Sequence, residues 1–572
     1  MSVKTWQLNQ PPSPEIIKQF PEINPIILQL LNNRGIDTQD KIDHFLTVDY
    51  GQDTYDPFLF NDMAKAVDRI FLALESGQKI VIYGDYDADG VTSTAVLSEY
   101  LKELGADIDV YIPYRETEGY GLNIAAAKKL VKDKIGLVIT VDCGISNVEE
   151  VKLLQENGID VIITDHHHEP LVLPQAFAIL NPSVSGEKYP FKKLAGCGVA
   201  YKLVQALALR VSQHQDKPLE DGYEKWLLDL VAIGTIADLQ PVLDENRVLV
   251  KYGLVVLQKT KRLGLLKLVE KMSSNLTILD QDIVGWRIAP RLNAAGRLGH
   301  ASTSYELLIT DNPDEAERLA EQLNKKNQER QQLTEKIHQE CLNIVGQVTD
   351  QKILILIGHD WPTGIVGLVA GRLTDKFHLP SLVISHYNGE IIGSGRSIPE
   401  FNIVEAIAKC DRMLARYGGH AQACGFTVKD ETNLKKFIVK MTALAKQELA
   451  EISLNPSLEI DVQISLTQVN WDLFDELEKF KPYGEGNPKP RFLAKGLTIH
   501  EIQGVGQDGK HLRLMVCHHD KTIHKTIGFG FGEWRQTLKP GDLIDLVFEI
   551  DVNEWNGNRE LQLKIIDLKK HD

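Results

Sequence analysis

The sequence predicts a multidomain α/β protein with a parallel sheet and a small β-barrel at its C-terminal end. Short apolar runs alternate with amphipathic, helix-like segments between about residues 76 and 260, and such alternation is typical of a parallel, doubly wound sheet. From about residue 457 hydrophobicity alternates over short stretches, which is typical of half-buried strands. At 572 residues the chain is too long for a single core.

Five segments follow from these patterns. The first is helical because Leu28 and Leu31 have helical spacing and Gly35 ends the pattern. The predicted segments are a helical lead-in (1–75), a parallel-sheet domain (76–310), a long connecting helix (311–345), a second α/β domain (346–455) and a C-terminal barrel (456–572).

Several elements inside these segments have local signals. Thr92 or Ser93 would cap a helix that ends near Leu101. Helices are also predicted at 124–132 and 148–155.

The connecting helix and the second α/β domain are predicted from composition. Asn312-Pro313 is a helix start signal, and the body that follows is rich in charged residues and Leu, so we expect a largely solvated helix. Apolar runs at 353–357 and 382–384 are expected to be strands of the second domain.

The C-terminal segment fits a small barrel, with an OB-fold as the leading candidate. Alternating stretches at 458–462, 512–516, 544–548 and 561–565 are the predicted strands. Basic and aromatic residues interleave there, a pattern used to bind single strands, although core packing is the commoner role of such aromatics. They are Lys510, His511, Arg513, Phe529, Phe531, Trp534 and Trp555.

Composition excludes several classes of protein. No apolar run is long enough for a membrane span, and the N-terminus does not resemble a signal peptide. The six cysteines are scattered, which favours reduced thiols in a cytoplasmic protein over disulfides or a zinc site. The net charge of −16 argues against general attraction to nucleic acid but says nothing about a local basic groove.

Three apolar runs of strand length end at metal-ligand residues. The run 80–83 leads to Asp85, Asp87 and Asp89, the run 137–141 leads to Asp142, and the run 161–164 leads to Asp165-His166-His167-His168. The carboxyl ends of parallel strands meet at one edge of the sheet, so these side chains are expected to converge. Asp238 follows another apolar segment, 230–237.

A single aspartate is more often a helix cap or a turn residue than a ligand. Three successive strand ends with adjacent histidines instead favour a shared site, because crowded carboxylates need cations to stay ionised. Carboxylates with imidazole suit Mn²⁺ or Mg²⁺, and a pair of such ions suits displacement at phosphorus.

The segments around these metal-ligand residues resemble, in order, the motifs of the DHH phosphoesterases. Segments later in the chain are similar to motifs of the RecJ branch of that family. The first set is residues 84–90, 141–144, 165–167 and 234–238. The second set is residues 291–297, 393–397 and 417–420. The resemblance runs from about residue 30 to the end, and no single motif has to carry it.

The resemblance implies a single-strand-specific 5′→3′ exonuclease of DNA repair and recombination, in which two metal ions activate water. The implied metal ligands are Asp87, Asp89, Asp142, His166 and Asp238. Asp142 would bridge the ions and act in catalysis together with Asp85 and His167, although an orienting role for His167 is nearly as well supported. His168 is expected to be a bystander.

Arginines and small residues are expected to grip the phosphates. Guanidinium groups bind phosphate bidentately, and glycine lets backbone N–H groups approach it. By resemblance the substrate-binding residues are Arg115, Arg297, Ser394, Arg396, Gly419 and His420, of which Arg297, Ser394 and Arg396 are expected on loops. A surface ion pair is the alternative for any one arginine.

One position departs from the family pattern, and other functions stay open. Pro362 stands in Trp361-Pro362-Thr363-Gly364 where the family commonly has histidine. The alternatives are a DHH phosphodiesterase of short oligonucleotides or cyclic dinucleotides and an inactive nucleic-acid-binding relative. The resemblance suggests a monomer. A single-strand-binding protein or a helicase is an expected partner that no motif identifies.

Overall fold

The computed structural model describes residues 4–214, 219–272, 278–346, 351–518, 522–555 and 558–571. The chain divides into two units. The barrel unit consists of Met1–Asp53 with Asn455–Asp572, and the α/β unit is Thr54–Leu454. The segment boundaries given above stay a prediction.

The helices of the described residues are α1 Pro14–Gln19, α2 Pro25–Asn33, α3 Gln39–Leu46, α4 Met63–Glu75, α5 Ala88–Glu103, α6 Ile124–Lys132, α7 Val148–Glu156, α8 Gly196–His214, α9 Leu228–Ala237, α10 Asp244–Gln258, α11 Leu263–Met272, α12 Gln281–Ile283, α13 Ala289–Leu298, α14 Ser302–Ile309, α15 Pro313–Val345, α16 Thr363–Phe377, α17 Ile403–Ala408, α18 Glu431–Glu448 and α19 Trp471–Glu478. A π-helical turn, Val284–Ile288, joins α12 to α13.

The strands are β1 Thr5–Leu8, β2 Ile80–Tyr83, β3 Ile108–Tyr111, β4 Leu137–Val141, β5 Asp160–Thr164, β6 Ala178–Leu180, β7 Leu354–His359, β8 Ser381–Tyr387, β9 Glu390–Arg396, β10 Leu414–His420, β11 Ala423–Val428, β12 Ser457–Ile460, β13 Val462–Gln463, β14 Phe492–Val505, β15 His511–Cys517, β16 Ile523–Gly528, β17 Leu543–Trp555 and β18 Asn558–Lys570.

The first sheet of the α/β unit is parallel, as predicted. Its strand order is β3-β2-β4-β5-β6, and every neighbouring pair is parallel. Strands β2 and β4 are buried along their whole length, which explains their uninterrupted apolar sequence, since helices cover both faces of such a sheet. Their carboxyl ends share one edge, where the candidate site lies.

Helix α5 begins earlier than predicted. Its cap is Asp87, whose side chain accepts hydrogen bonds from the N–H groups of Asp89 and Gly90. The Thr92 and Ser93 hydroxyls instead donate to backbone carbonyls one turn back in the same helix. The prediction that one of them caps the helix is therefore wrong.

The second sheet has the order β10-β11-β9-β8-β7, with only β7 and β8 parallel. Three residues that were predicted to lie on loops lie on regular elements instead. Arg297 lies in helix α13 rather than in a loop, and Ser394 and Arg396 lie on strand β9. Small residues allow these elements to pack closely: a Cβ on Gly393 would lie 2.2 Å from the Phe426 ring.

The connecting helix α15 starts where predicted, since the Asn312 side chain caps it. It is less solvated than expected, because one face is buried at positions that include Leu319, Leu323 and Ile337. Its side chains bond to neighbours on both sides: Asn324 accepts from Arg291 of α13, and Glu335 from Arg372 of α16. The helix is therefore part of the core.

The barrel unit confirms the predicted C-terminal barrel. Strands β14, β15, β16, β18 and β17 pair in that order, and β14 also pairs with β17, which closes the barrel. Strands β14 and β16 had not been predicted. Helix α2 shares one hydrophobic cluster with the barrel through Leu30 and Leu31, both fully buried. The prediction of one barrel strand at 458–462 is wrong. These residues divide between β12, which pairs in parallel with β1 outside the barrel, and β13, which pairs with β14.

The barrel aromatics divide between core and surface. Phe531 and Trp534 pack against the hydrophobic cluster, whereas Phe529 is 60% exposed. The side chain of Trp555 lies outside the described residues. Within the parts of the chain that the structure describes, none of the helices combines the length and the apolar character that a membrane crossing needs.

Candidate active site

The predicted metal ligands converge at the carboxyl edge of the first sheet. Asp87 and Asp89 follow β2 at the start of α5, Asp142 follows β4, His166 follows β5, and Asp238 ends α9. The sheet register places the ends of β2, β4 and β5 side by side.

Helix N-termini hold two of the carboxylates in place. Asp87 caps α5. Asp89 accepts hydrogen bonds from the N–H groups of Gly196 and Cys197, at 2.7 and 2.9 Å, where α8 begins. Gly196 is required there, because a Cβ would lie 2.5 Å from Oδ1 of Asp142. These bonds orient the carboxylates before any cation binds.

His166 lies at the centre of the cluster. Its Nε2 atom is 3.1 Å from Asp142 Oδ1, 3.6 Å from Asp238 Oδ2 and 3.9 Å from Asp89 Oδ2. Three groups of residues offer ligand atoms that lie within 4.8 Å of one another: Asp142, His166 and His167; Asp89, His166 and Asp238; and Asp85, Asp87 and Asp142. The groups overlap, so neighbouring cation positions share ligands.

The donor atoms of this cluster fit divalent cations. Asp85 Oδ1, Asp142 Oδ1 and His166 Nε2 are buried and make no hydrogen bond among the described residues, and such orphaned atoms are rare unless an ion or water satisfies them. Burial raises the pKa of Asp85 and of Asp142, and neighbouring carboxylates raise both further. Burial and the charge of Asp89 raise the pKa of Asp238 to about 8. A carboxylate and imidazole set of this kind suits Mn²⁺ or Mg²⁺.

His167 is held by two partners beside the cluster. Its Nδ1 atom lies 2.8 Å from Asp165 Oδ1 and 2.9 Å from the Tyr120 hydroxyl. Burial lowers the pKa of His167, but the hydrogen bond and charge of Asp165 outweigh burial and raise it to about 9. Asp165 is fully buried, also accepts the N–H of Ile145, and therefore orients the histidine.

Three of the predicted phosphate-binding residues are arginines without a carboxylate partner. Arg115, Arg297 and Arg396 form no ion pair within 4.0 Å among the described residues. Arg297 donates to the Gly364 carbonyl, and Arg396 donates to Ser394 Oγ and the Gly395 carbonyl. Burial, followed by the charge of Arg115, lowers the pKa of Arg297 to about 9. Guanidinium groups that lack a carboxylate within ion-pair distance attract an anion.

The remaining predicted residues lie on strands of the second sheet. Ser394 Oγ donates to the Cys424 carbonyl. Gly419 has φ +146°, and a Cβ there would lie 2.2 Å from the Ala423 carbonyl oxygen. The ring of His420 is 5.7 Å from that of His168, so the end of strand β10 lies close to the histidines that follow β5. A cavity of about 290 Å³ between them is lined by His166, His168, Lys192, Asp238 and His420.

Sequence reasoning missed three residues at the site. Tyr120 bonds His167 and also donates to the Asp142 carbonyl. Asn293 accepts a hydrogen bond from the Ala88 N–H at 2.9 Å and so connects α13 to the N-terminus of α5. Arg330 of α15 contributes to the lowered pKa of Arg297, and its Nε atom is buried without a partner among the described residues. Asn293 lies in a recognised motif, but no local signal marks Tyr120 or Arg330.

Comparison with protein families defines the class. Residues 79–235 match the DHH family, N-terminal domain, residues 350–447 match the DHHA1 domain, and residues 460–567 match the RecJ OB domain. The parallel sheet with its acidic edge is thus a DHH domain, followed by a DHHA1 domain and an OB-fold barrel.

Individual relatives narrow the class further. The chain is 38% identical over 569 residues to the single-stranded-DNA-specific exonuclease RecJ of Bacillus subtilis, covering 98% of this chain and 70% of that one. Crystal structures of RecJ from Thermus thermophilus match with TM-scores of 0.83 for the Mn²⁺ complex and 0.78 for the Mg²⁺ complex. They are 29% and 27% identical, and each match covers 99% of this chain and about four-fifths of the other. The chain belongs to the RecJ family.

Proposed function

We propose that the chain is a metal-dependent exonuclease that degrades single-stranded DNA from the 5′ end to mononucleotides, in DNA repair and recombination. One observation carries this proposal: a cluster of carboxylate and imidazole atoms within 4.8 Å of one another adjoins arginines that form no ion pair within 4.0 Å among the described residues. The first set suits cations and the second suits phosphate, so together they suit a phosphodiester. The named activity of the RecJ relatives supports the same substrate.

The proposed metal ligands are Asp87, Asp89, Asp142, His166 and Asp238, with Asp142 shared. Divalent cations held there would lower the pKa of a bound water and offset charge on the phosphoryl oxygens. Asp85 faces the same cluster with one oxygen that lacks a hydrogen bond among the described residues. Asp85 would accept a proton or bind a cation through this oxygen.

His167 is proposed to hold a proton for the substrate. The hydrogen bond and charge of Asp165 outweigh burial and raise the pKa of His167 to about 9, which favours the protonated ring. Nδ1 donates to Asp165, so the Nε2 proton is left for a phosphoryl oxygen or for the departing 3′ oxygen. Tyr120 and Asp165 restrict the ring, which keeps that proton aimed in one direction.

The arginines are proposed to position the strand end. Arg115, Arg297 and Arg396, with Ser394, would bind the 5′ phosphate or the phosphates next to it. Gly419 and His420 on β10 would contact the scissile nucleotide. Arg330 extends the same basic group and is added to it.

Strand polarity and metal dependence test the proposal. The protein is incubated with 5′-labelled and 3′-labelled single strands and with blunt duplex, in Mn²⁺, in Mg²⁺ or in EDTA. We expect release of mononucleotides from the 5′ end of single strands only, and only with metal. Asp142→Ala should abolish cleavage, whereas Asp133→Ala, an exposed carboxylate at the end of α6, should not. Equal degradation of duplex, or activity in EDTA, would contradict the proposal.

We further propose that the enzyme works as a monomer in the cytoplasm, where a single-strand-binding protein or a helicase supplies its substrate. The cysteines among the described residues are all free, and five of the six are buried, which suits a reducing compartment. Light scattering of the purified protein tests the monomer, since a mass of twice 64.2 kDa would contradict it.

A further inference from the structure

An exposed tryptophan precedes helix α13, the helix that carries Asn293 and Arg297 of the candidate active site. Trp286 is 82% exposed, the most exposed tryptophan among those whose side chains the structure describes. It lies in the π-helical turn Val284–Ile288, whose end residues Val284 and Ile288 are fully buried. The turn is therefore anchored by its aliphatic residues, and the indole adds nothing to the core.

The position of this turn is fixed relative to the metal ligands. A Cβ on Gly285 would lie 3.5 Å from Ile236, two residues before Asp238. Farther along the same helix, Asn293 bonds the Ala88 N–H beside Asp87 and Asp89. Trp286 and Asn293 are seven positions apart, about 10 Å along a helix axis. A short single strand can span this distance.

Basic side chains connect the indole to the phosphate-binding arginines. Arg287 is exposed, and Arg291 donates to the Arg287 carbonyl and to Asn324. Neither guanidinium has a carboxylate within 4.0 Å among the described residues. Burial, followed by the charge of Arg287, lowers the pKa of Arg291. Along the π-helical turn and helix α13 the order is thus an exposed indole, two arginines without a nearby carboxylate among the described residues, Asn293 and Arg297.

We propose that Trp286, with Arg287 and Arg291, forms a nucleotide subsite outside the metal centre, where a base of the single-stranded substrate stacks on the indole while the arginines bind the adjoining phosphates. Aromatic faces next to a basic groove bind single strands without regard to sequence, because every base has a π-face. Exposed aromatic residues on a rigid turn suit this role, and π-helical turns are frequent at functional sites. A partner protein is disfavoured because isolated aromatic exposure flanked by unpaired cations matches a polyanion better than an apolar interface.

This inference rests on the proposed nuclease function, and oligonucleotide length separates the two. Initial rates are measured on 5′-phosphorylated oligothymidylates of about two to twelve nucleotides. For Trp286→Ala we expect KM to rise about ten-fold on the longer strands, the cost of one lost stacking contact, while dinucleotide cleavage stays unchanged. Trp286→Phe should retain most of the wild-type KM because its ring still stacks.

Two controls sharpen the result. Trp226→Ala removes another exposed tryptophan of the α/β unit, one that carries Lys261 over its ring at 5.4 Å, and should leave every KM unchanged. Arg287→Gln with Arg291→Gln should raise KM on the longer strands and reduce its salt dependence, because two phosphate contacts are lost. Wild-type KM values for Trp286→Ala at all lengths, or equal losses on dinucleotides and long strands, would overturn the proposal.

A binding measurement in EDTA decides the inference without cleavage. Oligothymidylate should quench more tryptophan fluorescence in the wild-type protein than in Trp286→Phe, because a stacked base quenches the indole. If the wild-type protein cleaves nothing but this difference persists, the nuclease proposal fails and the subsite stands. If the two proteins are quenched equally, the subsite is wrong whatever the activity.

Discussion

The Nε2 atom of His166 lies 3.1 Å from Oδ1 of Asp142, and neither atom makes a hydrogen bond among the described residues. Burial lowers the pKa of His166, which favours a neutral imidazole whose lone pair can bind a cation. A buried lone pair facing a buried carboxylate is unfavourable unless a cation lies near both. The pair therefore indicates a site arranged for metal at the expense of stability.

Asp142→Asn tests this trade-off. Asp142 is buried among Asp89, Asp87 and Asp238, whose charges raise its pKa. Asparagine avoids the cost of burying an ionisable carboxyl among these neighbours and should stabilise the metal-free protein by about 1 kcal/mol, as substitutions that relieve strained active sites commonly do. The measurement is thermal unfolding in EDTA and in Mn²⁺.

In Mn²⁺, by contrast, we expect Asp142→Asn to be less stable than the wild-type protein. Cation at about 100 times its Kd stabilises the wild-type protein by about 2.7 kcal/mol, and the variant should lose most of that gain. A variant that melts below the wild type in EDTA, or that gains as much from Mn²⁺, would contradict the interpretation.

Asp165→Asn should damage the site without removing a proposed ligand. Asp165 accepts the His167 ring N–H and the backbone N–H groups of His166 and His167, so it holds the His167 ring and the backbone of both histidines. Loss of such an orienting partner typically costs about 10–100-fold in metal affinity or activity. Mn²⁺ titration calorimetry and cleavage rates check this. Asp133→Asn, at an exposed carboxylate just after α6, is the matched control, and an Asp165 variant indistinguishable from it would show that Asp165 does not orient the site.

The metal edge could be predicted from sequence because each strand ends next to its own ligands. Apolar runs identify β2, β4 and β5, and parallel pairing then brings Asp87, Asp142 and His166 together with no further information. The basic side of the site could not be predicted in the same way. Arg330 reaches Arg297 only through the packing of α15 against α13, and such contacts leave no local pattern.

The predictions that failed for single elements have specific physical reasons. Thr92 and Ser93 are good capping residues, but Asp87 takes that role because its side chain already accepts two N–H groups, and the hydroxyls then bond one turn back. Strand β14 was not predicted because glycines, including Gly496 and Gly504, interrupt its alternation. The pairing of β1 with β12 joins residues about 450 positions apart, which no periodicity can reveal.

Gly419→Ala should disrupt strand β10 where it enters the site. Its φ of +146° disfavours any side chain, and a Cβ would lie 2.2 Å from the Ala423 carbonyl oxygen. Strain of this kind costs about 1–3 kcal/mol, and its relief would displace His420, so we expect KM to rise about ten-fold. Gly425→Ala on the paired strand has open space and should be neutral. Equal behaviour of the two variants would contradict a positional requirement at Gly419.

Lys202→Met should be among the most destabilising substitutions in the α/β unit. Lys202 and Glu245 are fully buried, and Nζ lies 2.9 Å from Oε1. Glu245 also accepts a hydrogen bond from Tyr189. Removing the lysine leaves a buried carboxylate unpaired, at a cost of about 3–5 kcal/mol.

Urea unfolding of three variants checks the ion pair. Adding Glu245→Gln to Lys202→Met should restore part of the lost free energy of unfolding, because the unpaired charge is then gone. Lys128→Met, on the exposed face of α6, is the control. A loss below about 1 kcal/mol for Lys202→Met would place the pair among weak surface bridges.

The fragment 54–454 should retain cleavage of short oligonucleotides and lose affinity for long strands. Its sheets have their own hydrophobic clusters, and it contains every proposed metal and phosphate ligand, whereas the barrel is expected to bind additional nucleotides. A fragment that lacks only the residues after 454 should be less soluble, because Leu30 and Leu31 of α2 would lose the barrel core that buries them. Burying one such leucine stabilises by about 1.5–3 kcal/mol. Cleavage rates against strand length, with solubility of both fragments, check this. Equal losses on short and long strands would show that the barrel unit is needed for the fold of the site rather than for grip on the strand.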